Sequence, residues 1–136
     1  MQICVATDLS ESGKAATEYA LTWARSMSAR VLLVHIVHDP ALAPALSDDV
    51  QGDLTHARAE LEAVAADCGL PCEIIVDRAE DVCAAIVEAS KSSDYLFVGS
   101  QGKSAFDRMR LGSVAVSVMR SSAVPVFCCP PPEQAC

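Results

Sequence analysis

Short apolar runs alternate with longer stretches of helical period along the whole chain. Residues 3–7 (ICVAT), 30–37 (RVLLVHIV), 72–76 (CEIIV), 95–99 (YLFVG) and 124–129 (VPVFCC) are brief and rich in β-branched residues, so each reads as a strand. The second is apolar at nearly every position, the mark of a strand covered on both faces, as parallel sheets demand. Between the strands, apolar residues recur on single helical faces: Ala16, Ala20, Trp23, Ala24 and Met27; Val50, Leu54, Ala57, Leu61, Val64 and Cys68; Val82, Ala85, Ile86 and Ala89; Leu111, Val114, Ala115, Val118 and Met119. Ser10 or Ser12 can cap the first helix, Gly69 and Pro71 end the second, and Asp81 or Glu80 opens the third.

The resulting order is β-α-β-α-β-α-β-α-β. Right-handed crossovers fold that order into an α/β, three-layer doubly wound sandwich, with a five-stranded parallel sheet and four helices. A length of 136 residues suits one such unit, so residues 1–136 are expected to form a single domain. Ligands of wound sheets bind beyond the carboxyl ends of the strands where the winding reverses, which directs attention to the loops after the first, second and fourth strands.

Composition narrows the function classes. Hydrophobic residues make up 51% and aromatic ones 4%, which favours layered helix and strand over an aromatic-rich sandwich. A net charge of −8 repels nucleic-acid backbones and anionic lipid, so neither is an expected partner. The amino-terminal residues lack the pattern of an export signal, and no apolar run approaches the ~20 residues of a membrane span, giving a cytoplasmic expectation. Seven cysteines are present, with no Cys-x-x-Cys pair. Cys4, Cys68, Cys83 and Cys128 fall in apolar-periodic segments and are expected to act as small buried hydrophobes in a reducing compartment. His35 and His38 stand three apart on a strand, hence on opposite faces, and do not make a joint metal site.

The segment GSQGKSAFDRMRLGS, residues 99–113, contains a Gly-Lys-Ser triplet. A P-loop needs a glycine five positions before Gly102, and that position is Phe97. A dinucleotide fingerprint fails as well, because Gly99 closes the fourth strand instead of opening a helix in the first unit. What remains is Gly-x2-Gly-x9-Gly-Ser. Gly99 and Gly102 let main chain approach a ligand without Cβ obstruction, while Gly112 and Ser113 open the last helix, whose free amides and dipole attract an anion. Lys103 adds positive charge between them. Asp8, at the end of the first strand, is read as ligand-facing in preference to a plain helix cap.

These features together, VATDLSES after the first strand, VHIV closing the second and Gly-x2-Gly-x9-Gly-Ser between the fourth strand and last helix, resemble the ATP-binding branch of the universal stress protein family over the whole length. The resemblance implies strand order 3-2-1-4-5. It implies that Ala6, Thr7, Asp8 and Ile36 hold adenine and ribose, that Val98 and Gly99 flank the ribose, and that Gly102, Lys103, Gly112, Ser113 and Val114 meet the phosphates of ATP, with Mg²⁺ or Mn²⁺ left open. It also implies a homodimer through the final strand, Val124 to Cys129. The chain departs from the pattern at DRAED after the third strand and at Ala115, where a hydroxyl residue is frequent among relatives. Function is accordingly expected to be nucleotide-dependent regulation in a stress response, with no catalytic residues and at most slow ATP hydrolysis. The alternatives are a dimeric interaction module with a vestigial pocket and a flavodoxin-like redox carrier.

Overall fold

The computed structural model describes residues 1–40, 42, 46–100 and 112–130. Its elements are β1 (Gln2–Ala6), α1 (Glu11–Met27), β2 (Arg30–His38), α2 (Asp48–Asp67), β3 (Cys72–Ala79), α3 (Val82–Ser90), β4 (Tyr95–Gly99), α4 (Ser113–Ser121) and β5 (Val126–Cys129). All strand pairs are parallel, in the order β3-β2-β1-β4-β5. The wound α/β sandwich and its strand order are therefore as expected from the sequence.

Alternation along each strand divides the core in two. Ile3, Val5, Leu33 and Phe97 point to the face covered by α1 and α2, where Leu21 and Leu61 meet them. Cys4, Leu32, Val34, Leu96 and Val98 point to the other face, covered by α3 and α4 through Ile86 and Val118. Both faces being dry explains why the β2 run carries no polar alternation until His35. Trp23, Tyr95, Phe97 and Phe127 cluster on the α1 side of β4 and β5, with the Phe97 and Phe127 rings stacked 4.7 Å apart.

Local chemistry sets the element ends. Ser10, not Ser12, caps α1 by accepting the Gly13 N–H, and Asp81 caps α3 by accepting from Ala84. Ser47 caps α2 through the Val50 N–H. Gly69 follows the α2 cap with φ of 73°, a left-handed turn that suits glycine. The final strand starts at Val126, two residues later than the apolar run suggests. The Ser122 hydroxyl accepts the Val124 N–H and donates to the Val124 carbonyl, holding that residue in a turn. Burial of the cysteines also differs from expectation: Cys4, Cys68 and Cys129 are buried, whereas Cys83 and Cys128 are half-buried. Alternation on β5 puts Cys129, not Cys128, beneath α1. At the carboxyl ends of β2 and β3, Asp39 and Arg78 form an ion pair of 2.8 Å, largely shielded from solvent.

Candidate functional site

β1 is the strand at which the winding reverses. Ala6 lies in register with Val34 on one side and Val98 on the other. From β1 the chain crosses to the α1 face and from β4 to the α4 face, so the two exits diverge and leave a crevice at the strand ends. A cavity of about 120 Å³ occupies it.

The β1–α1 loop is fixed by its own side chains. The Thr7 N–H donates to the Val34 carbonyl, extending the pairing beyond β1. Leu9 adopts φ of 63°, stabilised by its N–H donating to the Thr7 hydroxyl. Asp8 Oδ1 accepts both the N–H and the hydroxyl of Ser10, and the Ser10 oxygen in turn accepts the Gly13 N–H. The cap of α1 and the aim of Asp8 are thus one network. Beneath it, buried His35 donates from Nδ1 to the Thr7 carbonyl at 2.8 Å, while His38 at the strand end is exposed. Gly13 completes the fit, since a Cβ there would come within 2.5 Å of Asp8 Oδ1 and 2.7 Å of Thr7 Oγ1.

The second half of the site comes from β4 and α4. The Ser100 N–H donates to the Cys129 carbonyl, and the Gly112 N–H donates to the Ser100 carbonyl at 2.7 Å. The chain therefore leaves β4 and enters α4 at adjoining points. A Cβ on Gly99 would lie 3.4 Å from both the carbonyl and the hydroxyl oxygen of Ser12, so its absence lets α1 sit close. The hydroxyls of Ser12 and Ser100 are buried without a hydrogen-bond partner among the described residues. Gly112 is the N-cap of α4 and supplies no capping side chain, in contrast to Ser10, Ser47 and Asp81 at the other helices. The first-turn amides of Ser113, Val114 and Ala115, which have no partner within a helix, belong to residues lining the cavity.

Of the residues expected from sequence, Ala6, Thr7, Asp8, Ile36, Val98, Gly99, Gly112, Ser113 and Val114 line this one cavity. Gly102 and Lys103 lie outside the described residues. Gly13, Val82, Ile86 and Ala115 also line it, and the first three were not expected. Val82 and Ile86 belong to the apolar stripe of α3, which packs on the sheet and also borders the cavity; a glycine in the first turn of α1 was the available signal for Gly13. Ile36, Val82, Ile86, Val98 and Ala6 give an apolar wall, and Thr7, Asp8, Gly112 and Ser113 give a polar end. Such a division suits a ligand with a flat apolar part and an anionic part. Among the described residues, no three His, Cys, Asp or Glu side chains are grouped to hold a metal ion. No helix among them is long and apolar enough to cross a membrane.

Residues 1–130 match the model of the Universal stress protein family, and the chain belongs to that family. It is 29% identical over 137 residues to a universal stress protein of Mycolicibacterium smegmatis, covering 91% of this chain and 46% of that protein. The chain thus spans about half the length of that curated relative. Its fold superposes on a universal stress protein solved in complex with cAMP, with TM-score 0.76 and 23% identity over 97% of this chain and 98% of the other. It also superposes on the universal stress protein from Archaeoglobus fulgidus in complex with dAMP, with TM-score 0.72 and 20% identity over 94% and 96% of the two chains.

Proposed function

We propose that this chain binds an adenine nucleotide, ATP in the first instance, in the crevice between β1 and β4, and that the bound nucleotide regulates its partners in a cytoplasmic stress response. The observation that carries this reading is the bond between the Gly112 N–H and the Ser100 carbonyl, which brings the glycine-edged end of β4 and the uncapped start of α4 to one cavity with Thr7 and Asp8. Adenine would lie against Ile36, Val82 and Val98, the ribose near Asp8, Val98 and Gly99, and the phosphates at the α4 amides, with Gly102 and Lys103 added from the sequence pattern. Free first-turn amides and the helix dipole favour an anion there. The cAMP and dAMP complexes of the two similar proteins support the purine nucleotide class.

Binding without rapid turnover fits Asp8 as the one carboxylate among the described residues of the cavity lining. Asp8 Oδ1 is engaged by Ser10, which fixes the carboxylate in place for holding a ligand. The reading includes a homodimer formed through β5, an edge strand with half-exposed Phe127 and Cys128. The rival reading, an interaction module with a vestigial pocket, draws on the cavity volume, about 120 Å³ against the ~300 Å³ or more of ordinary ligand pockets.

Isothermal titration of the chain with ATP, AMP, cAMP and adenosine, each with and without Mg²⁺, separates the two. Saturable heat with ATP, weakened about tenfold or more by Gly112→Val, is the expected result. No heat with any of the four at millimolar ligand overturns nucleotide binding, and equal affinity for ATP and adenosine overturns the phosphate assignment.

A further inference from the structure

The turn joining α2 to β3 is bounded by two thiols. Cys68 is the C-cap residue of α2, Gly69 reverses the chain at φ of 73°, and Cys72 is the first residue of β3. Pro71 locks the approach to the strand, and its carbonyl accepts the Val31 N–H. Cys68 is 1% exposed, its sulfur bonded to both the N–H and the carbonyl of Leu70 at 3.4 Å. Arg25 Nε donates to the Cys68 carbonyl at 3.0 Å, anchoring that end of the turn to α1. Cys72 is half-buried and packs against the core cluster that holds Cys68 on the other side of the turn, its own thiol donating to the Glu73 carbonyl at 3.9 Å.

From this placement we infer that Cys68 and Cys72 are an oxidation-sensitive pair that closes to an intramolecular disulfide across the α2–β3 turn. Their unequal burial assigns the roles. Cys72, reachable from solvent, attacks a hydroperoxide: an S–O bond forms, the O–O bond breaks, and the leaving oxygen departs as water, giving a sulfenic acid. Cys68, shielded from solvent but beside Cys72, then attacks the sulfenic sulfur; the S–S bond forms, the S–O bond breaks and a second water leaves. Two thiols surrender two electrons and two protons, and hydrogen peroxide is reduced to two waters. The turn is already folded and tied at both ends, so closure needs no rearrangement of the sheet.

Burial, with the adjacent Cys68 and then Glu73 adding to it, pushes the Cys72 thiol up to about 12. At neutral pH Cys72 therefore rests as a thiol and responds to excess peroxide, not to trace oxidant.

The test treats the full chain with excess hydrogen peroxide, alkylates the remaining thiols after denaturation, and maps the peptides by mass spectrometry without reduction. The expected product is an unalkylated Cys68–Cys72 bridge two hydrogen masses lighter than the dithiol, accompanied by a rise in Tm. Cys68→Ser should carry Cys72 on to sulfinic acid, and Cys72→Ser should leave Cys68 a thiol. Alkylation of both residues after treatment, or a bridge from Cys72 to any other cysteine, overturns the pairing. The wild-type map decides the matter even if a variant fails to fold, and nucleotide binding does not enter it.

Discussion

A Cβ added at Gly13 would stand 2.5 Å from Asp8 Oδ1, nearer than a side chain tolerates without something shifting. The carboxylate cannot simply swing aside, because Ser10 holds it through two hydrogen bonds. Gly13→Ala gains about 1 kcal/mol of helix propensity but displaces Asp8 or Thr7 from the crevice. We expect calorimetry to find stability nearly unchanged while affinity for adenine nucleotide falls about tenfold, a loss near 1.4 kcal/mol. Unchanged affinity would show that the aim of Asp8 does not depend on Gly13.

Gly112 has φ of −63° and ψ of 152°, a conformation open to most residues, so its backbone does not demand glycine. An aspartate there would cap α4, adding a few tenths of a kcal/mol, and would occupy the amides assigned to phosphate while adding negative charge. Gly112→Asp should therefore leave Tm equal or slightly higher and lower ATP affinity more than tenfold. Thermal unfolding and titration on one preparation check both signs. A variant that still binds ATP normally would move the phosphates away from this helix.

How much of this was legible in the sequence depends on the range of the interaction. The periods of β2 and α2 announced themselves because each burial pattern is written along one segment. Thr7, Asp8, Gly99 and Gly112 stood at strand and helix ends in a pattern that a wound fold brings together. Val82 and Ile86 were hidden, since an apolar stripe looks the same whether it faces the sheet or overhangs a crevice. The end of β1 suits a carboxylate either to face a ligand or to cap a helix, and Asp8 does something of both: it lines the cavity and braces the capping residue Ser10. Cys128 is only half-buried where full burial was expected, because one step along a strand reverses the face: Cys129 enters the core on the α1 side, and Cys128 packs less completely on the other.

Cys4 is fully buried, and burial pushes its thiol from about 9 up to about 12; Cys129 rises to about 11, by burial first and neighbouring Cys128 second. A native pKa above the unfolded one supplies stability that is whole below pH 9 and lost as pH climbs toward the native value. The unfolded chain sheds these protons first, so unfolding free energy should fall above pH 9 by about 1.4 kcal/mol per pH unit for each such thiol. Urea unfolding from pH 8 to 10.5 tests this, with Cys4→Ala expected to show a shallower decline. An identical slope in the variant would remove Cys4 from the account.

On β5, the Pro125 and Cys129 carbonyls accept from β4, so parallel alternation turns the amides of Val126 and Cys128 to the outer edge. If β5 pairs with its twin, Cys128→Pro removes an outward donor and leaves the β4 ladder intact. Light scattering should then report a monomer where the parent chain is a dimer, with nucleotide affinity changed less than about twofold. A variant that stays dimeric would place the contact elsewhere.

The crevice at Ala6 arises from the direction in which the chain exits two neighbouring strands, before any side chain is specified. Drift in amino-acid identity can repaint its walls without closing it, because only a change in connectivity abolishes a reversal of winding. Proteins that share barely a fifth of their residues with this one keep the same strand arrangement. New recognition in such a lineage therefore begins from an opening inherited with the topology, and natural selection has only to furnish it.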